Sequence, residues 1–201
     1  IERGTRTVVM IRPGLEFTAA VFALFKVGAV PVMIDPGMGV SRMVDCIAEV
    51  EPEAFVGIPL AQLVRVLNRR RFPKLRAIVT VGRRFGWGGA TLEELRRAGS
   101  PRYTMADTAA DEVAAILFTT GSTGPPKGVV YEHGMFDAQV RLIQEWYDMR
   151  PGEIDMPAFP LFALFSTAMG MTCVIPEMDP SRPGRCDPAK LVRDIVSHRV
   201  T

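Results

Sequence analysis

A short segment of the chain, residues 118–129, concentrates residue types that bind phosphate groups. Gly121 and Gly124 permit backbone angles that let amide N–H groups converge on an anion. Lys127 supplies a positive charge for phosphate oxygens, which makes it the candidate catalytic residue. Hydroxyl donors stand at Thr119, Thr120, Ser122 and Thr123. The segment therefore predicts a phosphate-binding loop.

Two other interpretations of this loop are open. A Walker loop needs Gly directly before its lysine and Ser or Thr directly after it, whereas Lys127 stands between Pro126 and Gly128. A Walker loop also opens a helix, but residues 129–131 are typical of a strand. The second alternative is a purely structural turn, since Gly, Ser and Thr are common in turns. We favour phosphate binding because the segment is long and rich in donors.

The strands and helices that precede the loop in the chain must hold it in position. Up to residue 81, short apolar runs alternate with helical patterns, which is typical of strands and crossover helices in a parallel sheet. Ser41 is the predicted N-cap of one helix, and Gly28 is predicted to end another. Strands are predicted at 6–11, 29–34, 54–57 and 77–81, and helices at 15–27, 41–50 and 60–69.

A looser stretch at 82–111, with a short helix at 92–98, separates this unit from a second one. Strands are then predicted at 113–118, 129–131, 154–158 and 172–175, and helices at 135–149, 164–169 and 188–198. We therefore predict an α/β fold with doubly wound, mostly parallel sheets flanked by helices. A first subdomain would cover residues 1–107, and a second, with the loop, residues 108–201.

The composition of the chain argues against several classes of function. The 201 residues, 48% hydrophobic and 23% charged, can bury one sizeable core. A net charge of only +2 and scattered arginines argue against a nucleic acid partner. The apolar stretches 17–32 and 157–175 are interrupted, which argues against a membrane span. The odd number of cysteines, 3, argues against a secreted disulfide framework and favours the cytoplasm.

Residues 118–129 resemble the signature loop of the adenylate-forming superfamily, which comprises acyl-CoA synthetases, peptide-synthetase adenylation domains and luciferases. Each position of that signature is filled, from the aromatic residue to the final valine. Residues 25–36 and 129–133 are similar to the same family. The resemblance implies that the chain is part of the large N-terminal domain of such an enzyme, without its mobile C-terminal domain.

The resemblance also implies a chemistry. The carboxylate of a small-molecule acid attacks the α-phosphate of ATP and forms an acyl-adenylate and pyrophosphate, with magnesium assisting. The family elements that contact adenine and ribose are absent from residues 1–201, so this chain alone is expected to be inactive. The implied nucleotide-binding residues are Thr119, Thr120, Gly121, Ser122, Thr123, Gly124 and Lys127.

Residues 159–165 align with the acid-binding motif of this family, in which fatty acyl-CoA synthetases carry a histidine where Ala163 stands. Loss of the imidazole would leave room for a bulkier acid, with Phe162 and Ala163 in the substrate pocket. Packing in a core helix is the alternative role for the phenylalanines.

The alanine at position 163, together with residues 171–180, resembles the sequence of the β-lactone synthetases of bacterial long-chain olefin biosynthesis. Such enzymes activate a 2-alkyl-3-hydroxy acid and close it to a β-lactone with release of AMP. The alternative is a long-chain fatty acid–CoA ligase, and only that alternative requires CoA.

Two further classes stay open: a nucleotide-binding module without catalysis, and an assembly protein with exposed apolar surface. Assembly with other enzymes of the pathway is also left open. His133, near the start of a helix, is predicted to pack or cap rather than to catalyse. His198 and the arginines at 69–71 are predicted to be solvent-exposed.

Overall fold

The computed structural model describes residues 1–100, 102–119, 126–159, 161–179 and 182–201. The predicted order of strands and helices is confirmed, and the structure adds the short strand β5. The strands are β1 (Arg6–Met10), β2 (Val30–Ile34), β3 (Ala54–Gly57), β4 (Ala77–Thr80), β5 (Ala90–Thr91), β6 (Val113–Thr119), β7 (Lys127–Glu132), β8 (Ile154–Asp155) and β9 (Thr172–Cys173). The helices are α1 (Leu15–Lys26), α2 (Val40–Glu49), α3 (Pro59–Leu67), α4 (Leu92–Ala98), α5 (His133–Tyr147), α6 (Phe162–Ala168) and α7 (Pro188–His198).

The first seven strands form one seven-stranded sheet in the order β5-β4-β3-β1-β2-β6-β7. All neighbouring strands in it run parallel except β7, which is antiparallel to β6. Strands β8 and β9 form a separate two-stranded parallel sheet. The predicted α/β class with mostly parallel sheets flanked by helices is confirmed.

Both faces of the large sheet are covered near its centre. The crossovers from β1 to β2 and from β2 to β3 run in opposite directions across the sheet. Because such crossovers are right-handed, α1 and α2 lie on opposite faces. Val44 and Ile47 of α2 belong to the same buried cluster as Val8 and Phe55 of the sheet. Strand β2 is buried along its whole length, as expected for a strand covered on both faces.

Two of the predictions concern helix ends: the N-cap at Ser41 and the stop at Gly28. Helix α2 begins at Val40 with Gly39 as its N-cap, so the predicted N-cap at Ser41 is wrong. Gly39 has φ of 88°, a conformation that glycine adopts without steric cost. Helix α1 ends at Lys26, and Gly28 follows with φ of 68°, which confirms the predicted stop.

By its internal contacts the chain forms two compact units, Ile1–His133 and Gly134–Thr201. Strands β6 and β7 belong to the first unit because they extend its sheet. In the second unit α6 packs against β9. The predicted subdomain boundary between residues 107 and 108 stays a prediction.

A buried polar network ties α3 to β4 and to the glycine-rich loop that follows. The fully buried Gln62 side chain donates a hydrogen bond to the carbonyl of Val79 at 2.9 Å and accepts one from Arg65 Nε at 2.7 Å. Arg65 also donates to the carbonyl of Trp87, and burial lowers the pKa of this guanidinium. The Trp87 indole N–H donates to Thr80 Oγ1 at 3.0 Å. The network therefore holds the glycine-rich loop around Trp87 in place. The sequence alone predicts no chemical role for this loop.

Gln62→Leu would remove both hydrogen bonds of this side chain while keeping its apolar volume. Because an Arg65 N–H and the Val79 carbonyl would stay buried without that partner, we expect the free energy of unfolding to fall by roughly 2–4 kcal/mol. Urea denaturation measures this change. Leu67→Ala, on the same helix, removes a side chain that is 75% exposed and serves as control. Equal effects of the two variants would show that the network does not stabilise the fold.

Candidate active site

Strands β6 and β7 hold the two ends of the predicted phosphate-binding loop. In their antiparallel pairing Phe118 lies opposite Gly128, and Thr119 lies opposite Lys127. Thr119 and Lys127 are therefore neighbours at the point where the loop leaves the sheet. The other predicted nucleotide-binding residues lie outside the described residues, and their assignment stays a prediction: Thr120, Gly121, Ser122, Thr123 and Gly124.

The base of the loop lies at the carboxyl edge of the parallel sheet. Strand β6 pairs with β2, with Phe118 opposite Ile34, so the two strands end together. Asp35 follows β2 directly, and its Oδ1 accepts a hydrogen bond from the backbone N–H of Gly37 at 2.8 Å. Open α/β sheets bind ligands beyond the carboxyl ends of their strands. The fold thus presents the base of the predicted loop at the edge where open α/β sheets bind their ligands.

Lys127 is an exposed residue at the start of β7. Its ammonium group forms no ion pair within the described part of the chain. Lys74 and Lys190, in contrast, are paired with Glu51 and Glu177. An unpaired ammonium group on a strand can neutralise a phosphate without giving up an existing partner.

Gly128 lies in tight packing at the base of the loop. A Cβ atom at this position would lie 3.1 Å from Cζ of Phe118 and 3.3 Å from Cγ2 of Ile116. Phe118 is buried, so its ring has little freedom to move aside. The residue types alone predict no separate role for Gly128, and its place directly after Lys127 is the signal that could have indicated one.

His133 is the first residue of α5 and packs within the first unit. Its ring lies edge-on to Phe25, with ring centroids 6.0 Å apart, and its backbone N–H donates to the carbonyl of Glu112 at 3.1 Å. The predicted packing of His133 is confirmed. The ring contact also joins residues 25–36 to residues 129–133, the two additional segments that resemble the adenylate-forming family.

An ion pair fastens the first residues of the chain to the approach to β6. Arg3 donates to both carboxylate oxygens of Glu112, through Nε at 2.9 Å and through Nη2. The backbone N–H of Ala109 donates to the same carboxylate at 2.7 Å. The hydrogen bond from Arg3, followed by that from Ala109, lowers the pKa of Glu112 from 4.5 to about 2. No local pattern could predict this pair, because its members are 109 positions apart.

The Arg3–Glu112 pair gives a pH dependence of stability with a definite sign. Since the pKa of Glu112 is lowered to about 2 in the folded state, the pair stabilises the fold above pH 4.5. That contribution is lost as the pH falls from 4.5 towards 2. We expect the difference in unfolding free energy between the wild-type chain and Glu112→Gln to shrink over this range, as measured by urea denaturation at each pH.

The matched control for this experiment is Glu49→Gln, which removes an exposed carboxylate with no ion pair in the described part of the chain. Its difference from the wild-type chain should not follow the same pH course. A Glu112→Gln difference that stays constant from pH 6 to 2 would contradict the assignment.

The predicted substrate-pocket residues lie on α6 in the second unit. Phe162 is 58% exposed, and its ring packs edge-on against Phe159 with centroids 5.6 Å apart. Ala163 is only 1% exposed, so its methyl group lies inside the unit. Phe165 packs against Phe136 instead. The assignment of Phe162 and Ala163 to a substrate pocket stays a prediction.

The residues that the structure describes show neither a metal cluster nor a membrane-spanning helix. They contain no group of three or more His, Cys, Asp or Glu side chains that could hold a metal ion. Among them, no helix combines the length and the apolar character needed to cross a membrane.

Comparison with solved structures agrees with this architecture. The fold matches a long-chain-fatty-acid–CoA ligase from Archaeoglobus fulgidus with a TM-score of 0.84 at 19% identity, covering 100% of this chain and 39% of that one. The α/β fold with a mostly parallel sheet is thus shared with that ligase. The sequence matches the AMP-binding enzyme family over residues 1–201, and the chain belongs to that family.

Two curated relatives are much more similar in sequence. The chain is 56% identical over 192 residues to an olefin beta-lactone synthetase of Xanthomonas campestris pv. campestris, covering 95% of the chain. It is 53% identical over 192 residues to an olefin beta-lactone synthetase of Stenotrophomonas maltophilia, again covering 95% of the chain. The matched regions span 34% and 35% of the length of these relatives.

Proposed function

We propose that the full-length protein activates a carboxylic acid with ATP, and that residues 118–129 bind the β- and γ-phosphates. The observation that carries this proposal is the base of the loop, where Thr119 and Lys127 pair at the carboxyl edge of the sheet. Membership of the AMP-binding enzyme family supports ATP as the nucleotide. The partners of the reaction are therefore ATP and a small-molecule acid.

The first proposed step forms a bond between a carboxylate oxygen and the α-phosphorus. The bond from this phosphorus to the bridging oxygen breaks, and pyrophosphate leaves. Because negative charge builds up on the departing phosphates, Lys127 would stabilise the transition state more than the ground state. The substrate carboxylate is already ionised at neutral pH, so no protein group has to remove a proton.

Magnesium is expected to arrive with the ATP. In such reactions Mg²⁺ keeps several waters and binds substrate phosphates with only one or two carboxylates, rather than an all-protein cage. When bound, the ion would neutralise phosphate charge, and we assign no described residue to it.

We further propose that the substrate is a long-chain 2-alkyl-3-hydroxy acid. The support is the similarity to the two β-lactone synthetases and the alanine at position 163. In the second step the 3-hydroxyl oxygen attacks the carbonyl carbon of the acyl-adenylate and closes a four-membered ring. The hydroxyl proton is released, the bond to the phosphate oxygen breaks, and AMP leaves without any use of CoA.

The cellular setting is part of the same proposal. Cys46, Cys173 and Cys186 are free thiols in the structure, which supports a reducing compartment such as the cytoplasm. Assembly with other enzymes of the pathway stays a prediction.

A mass spectrum of the products tests the proposed reaction. The full-length enzyme, given ATP, magnesium, CoA and a 2-alkyl-3-hydroxy acid, should form a β-lactone and AMP. The same products should form when CoA is omitted, because the substrate supplies its own nucleophile. A CoA thioester would instead identify an acyl-CoA ligase, and the absence of any acid-dependent AMP would refute acid activation.

Lys127→Ala in the full-length enzyme tests the role of the loop. Loss of a charge-assisted contact should lower kcat/KM for ATP by about 30- to 100-fold, or about 2–3 kcal/mol. Acid-dependent exchange of labelled pyrophosphate into ATP measures this effect. Lys74→Ala removes an exposed lysine that is already paired with Glu51 and should leave the exchange unchanged. Unchanged ATP kinetics in Lys127→Ala would remove this residue from the site.

A further inference from the structure

Helix α3 has an inverted distribution of polar and apolar side chains. Its two polar side chains, Gln62 and Arg65, are only 0% and 7% exposed. Leu60, Leu63 and Leu67 are instead 65%, 47% and 75% exposed. Their spacing of three and four residues places these leucines in one row along the helix, on the side opposite Gln62 and Arg65. A surface helix normally shows the reverse pattern, with its apolar side facing the core.

This leucine row lies on the outside of the first unit. Gln62 donates a hydrogen bond to the carbonyl of Val79 in β4, so the polar side of α3 faces the sheet. The leucine row therefore faces away from the sheet. A contiguous apolar row of this kind, unlike a single exposed leucine, marks an interaction surface.

The segment that contains α3 is strongly basic. Residues 54–92 contain eight Arg and Lys side chains and no Asp or Glu. The whole chain, in contrast, has 24 basic and 22 acidic side chains, and all of the acidic ones lie outside this segment. A surface with this charge attracts an anionic partner.

Exposed arginines lie near both ends of the leucine row. Arg69 and Arg70 follow the C-terminal end of α3 in the chain. Arg83 follows Gly82, where an added Cβ atom would lie 3.9 Å from Cδ of Pro59, the first residue of α3. None of the three arginines forms an ion pair within the part of the chain that the structure describes. Their charges are therefore available to an anionic partner.

An exposed aromatic ring adds to the surface near the N-terminal end of α3. Phe85 is 57% exposed, and the guanidinium of Arg83 lies over its ring, 5.1 Å from the centroid. The loop that carries both residues is tied to α3, because Arg65 donates a hydrogen bond to the carbonyl of Trp87. Leu, Phe and Arg are residue types with which protein helices bind the surface of anionic membranes.

The shape and composition of this surface favour lipid over other anionic partners. The leucine row is the convex outer side of one helix, which offers far less area than the about 800 Å² per partner of a stable protein interface. A nucleic acid would use the arginines but not the leucines, since its backbone is recognised by charge. At a membrane surface both are used, because leucines enter the acyl boundary while arginine side chains extend to the phosphate groups.

We propose that the leucine row of α3, with Arg83 near one end and Arg69 and Arg70 near the other, binds the surface of an anionic lipid membrane. The contact is peripheral, and the side chains enter only the headgroup region and the acyl boundary. The inference is independent of the proposed reaction, because it assumes nothing about the substrate.

Co-sedimentation of the full-length protein with lipid vesicles tests this surface. The vesicles consist of equal parts of phosphatidylcholine and phosphatidylglycerol, and vesicles of pure phosphatidylcholine serve for comparison. We expect binding to the anionic vesicles only, and weaker binding as salt is added, because salt screens the arginine charges. Absence of binding at low salt, or equal binding to the two kinds of vesicle, would overturn the inference.

Two double variants separate the charged from the apolar part of the surface. Arg69→Gln combined with Arg70→Gln should lower the partition coefficient for anionic vesicles about 30-fold, or roughly fivefold for each charge. Leu63→Gln combined with Leu67→Gln should lower it about tenfold through loss of apolar contact. Since all four side chains are exposed, both variants should keep the wild-type free energy of unfolding.

Matched controls remove the same residue types elsewhere. Arg102→Gln combined with Arg199→Gln removes two exposed arginines outside the basic segment and gives the same net charge as the arginine variant. Leu142→Gln replaces a leucine of α5 that is 63% exposed. Both controls should bind anionic vesicles as the wild-type protein does. Losses equal to those of the α3 variants would show that no particular surface is involved and would overturn the inference.

Other occupants of the leucine row give different results. A leucine variant that binds vesicles like the wild type would show that binding is purely electrostatic. A leucine variant with a lower free energy of unfolding and unchanged vesicle binding would show that another part of the full-length protein covers the row. Self-association of the wild type that the leucine variant loses, without vesicle binding, would identify a second copy as the occupant. Each of these three results would overturn the inference.

Discussion

The parallel pairing of β6 with β2 decides where the candidate site can form. Strand β2 is buried along its whole length, and Phe118 of β6 lies in the same hydrophobic cluster as Ile34. A displacement of β6 would therefore expose apolar surface from the centre of the domain, at about 25 cal/mol for each Å². The carboxyl end of β6, and with it the base of the loop, is anchored to the most buried part of the sheet.

This anchoring fixes where both ends of the predicted loop lie. Strand β7 returns antiparallel to β6 and places Lys127 next to Thr119. The pairing of the two strands therefore fixes the two ends of the loop relative to each other. The Arg3–Glu112 pair holds the residues that lead into β6. Positioning matters in phosphoryl and nucleotidyl transfer, because the protein contributes mainly orientation and charge.

The fold could be predicted from the sequence wherever the sequence pattern is local. The crossover helices and buried strands of the first unit show the periodicity and composition of an α/β sheet. The predicted phosphate-binding loop is distinguished by its own residue types. Contacts between distant residues gave no such signal. Arg3 with Glu112, Gln62 with Val79 and Ser166 with Asp155 depend on tertiary packing that brings remote positions together. The Ser41 prediction was wrong for a local reason, because Gly39 could adopt a backbone angle that the capping rule did not weigh.

The close packing of Gly128 on Phe118 also limits which changes in strand register the protein can tolerate. If β7 slipped by one residue, Val129 would replace Gly128 opposite Phe118, and its branched side chain would collide with the ring. An inserted or deleted codon in the loop could not be absorbed by sliding the strands past each other. Any change in the length of the loop would therefore have to be accommodated within the loop, while the register of β6 and β7 stays the same.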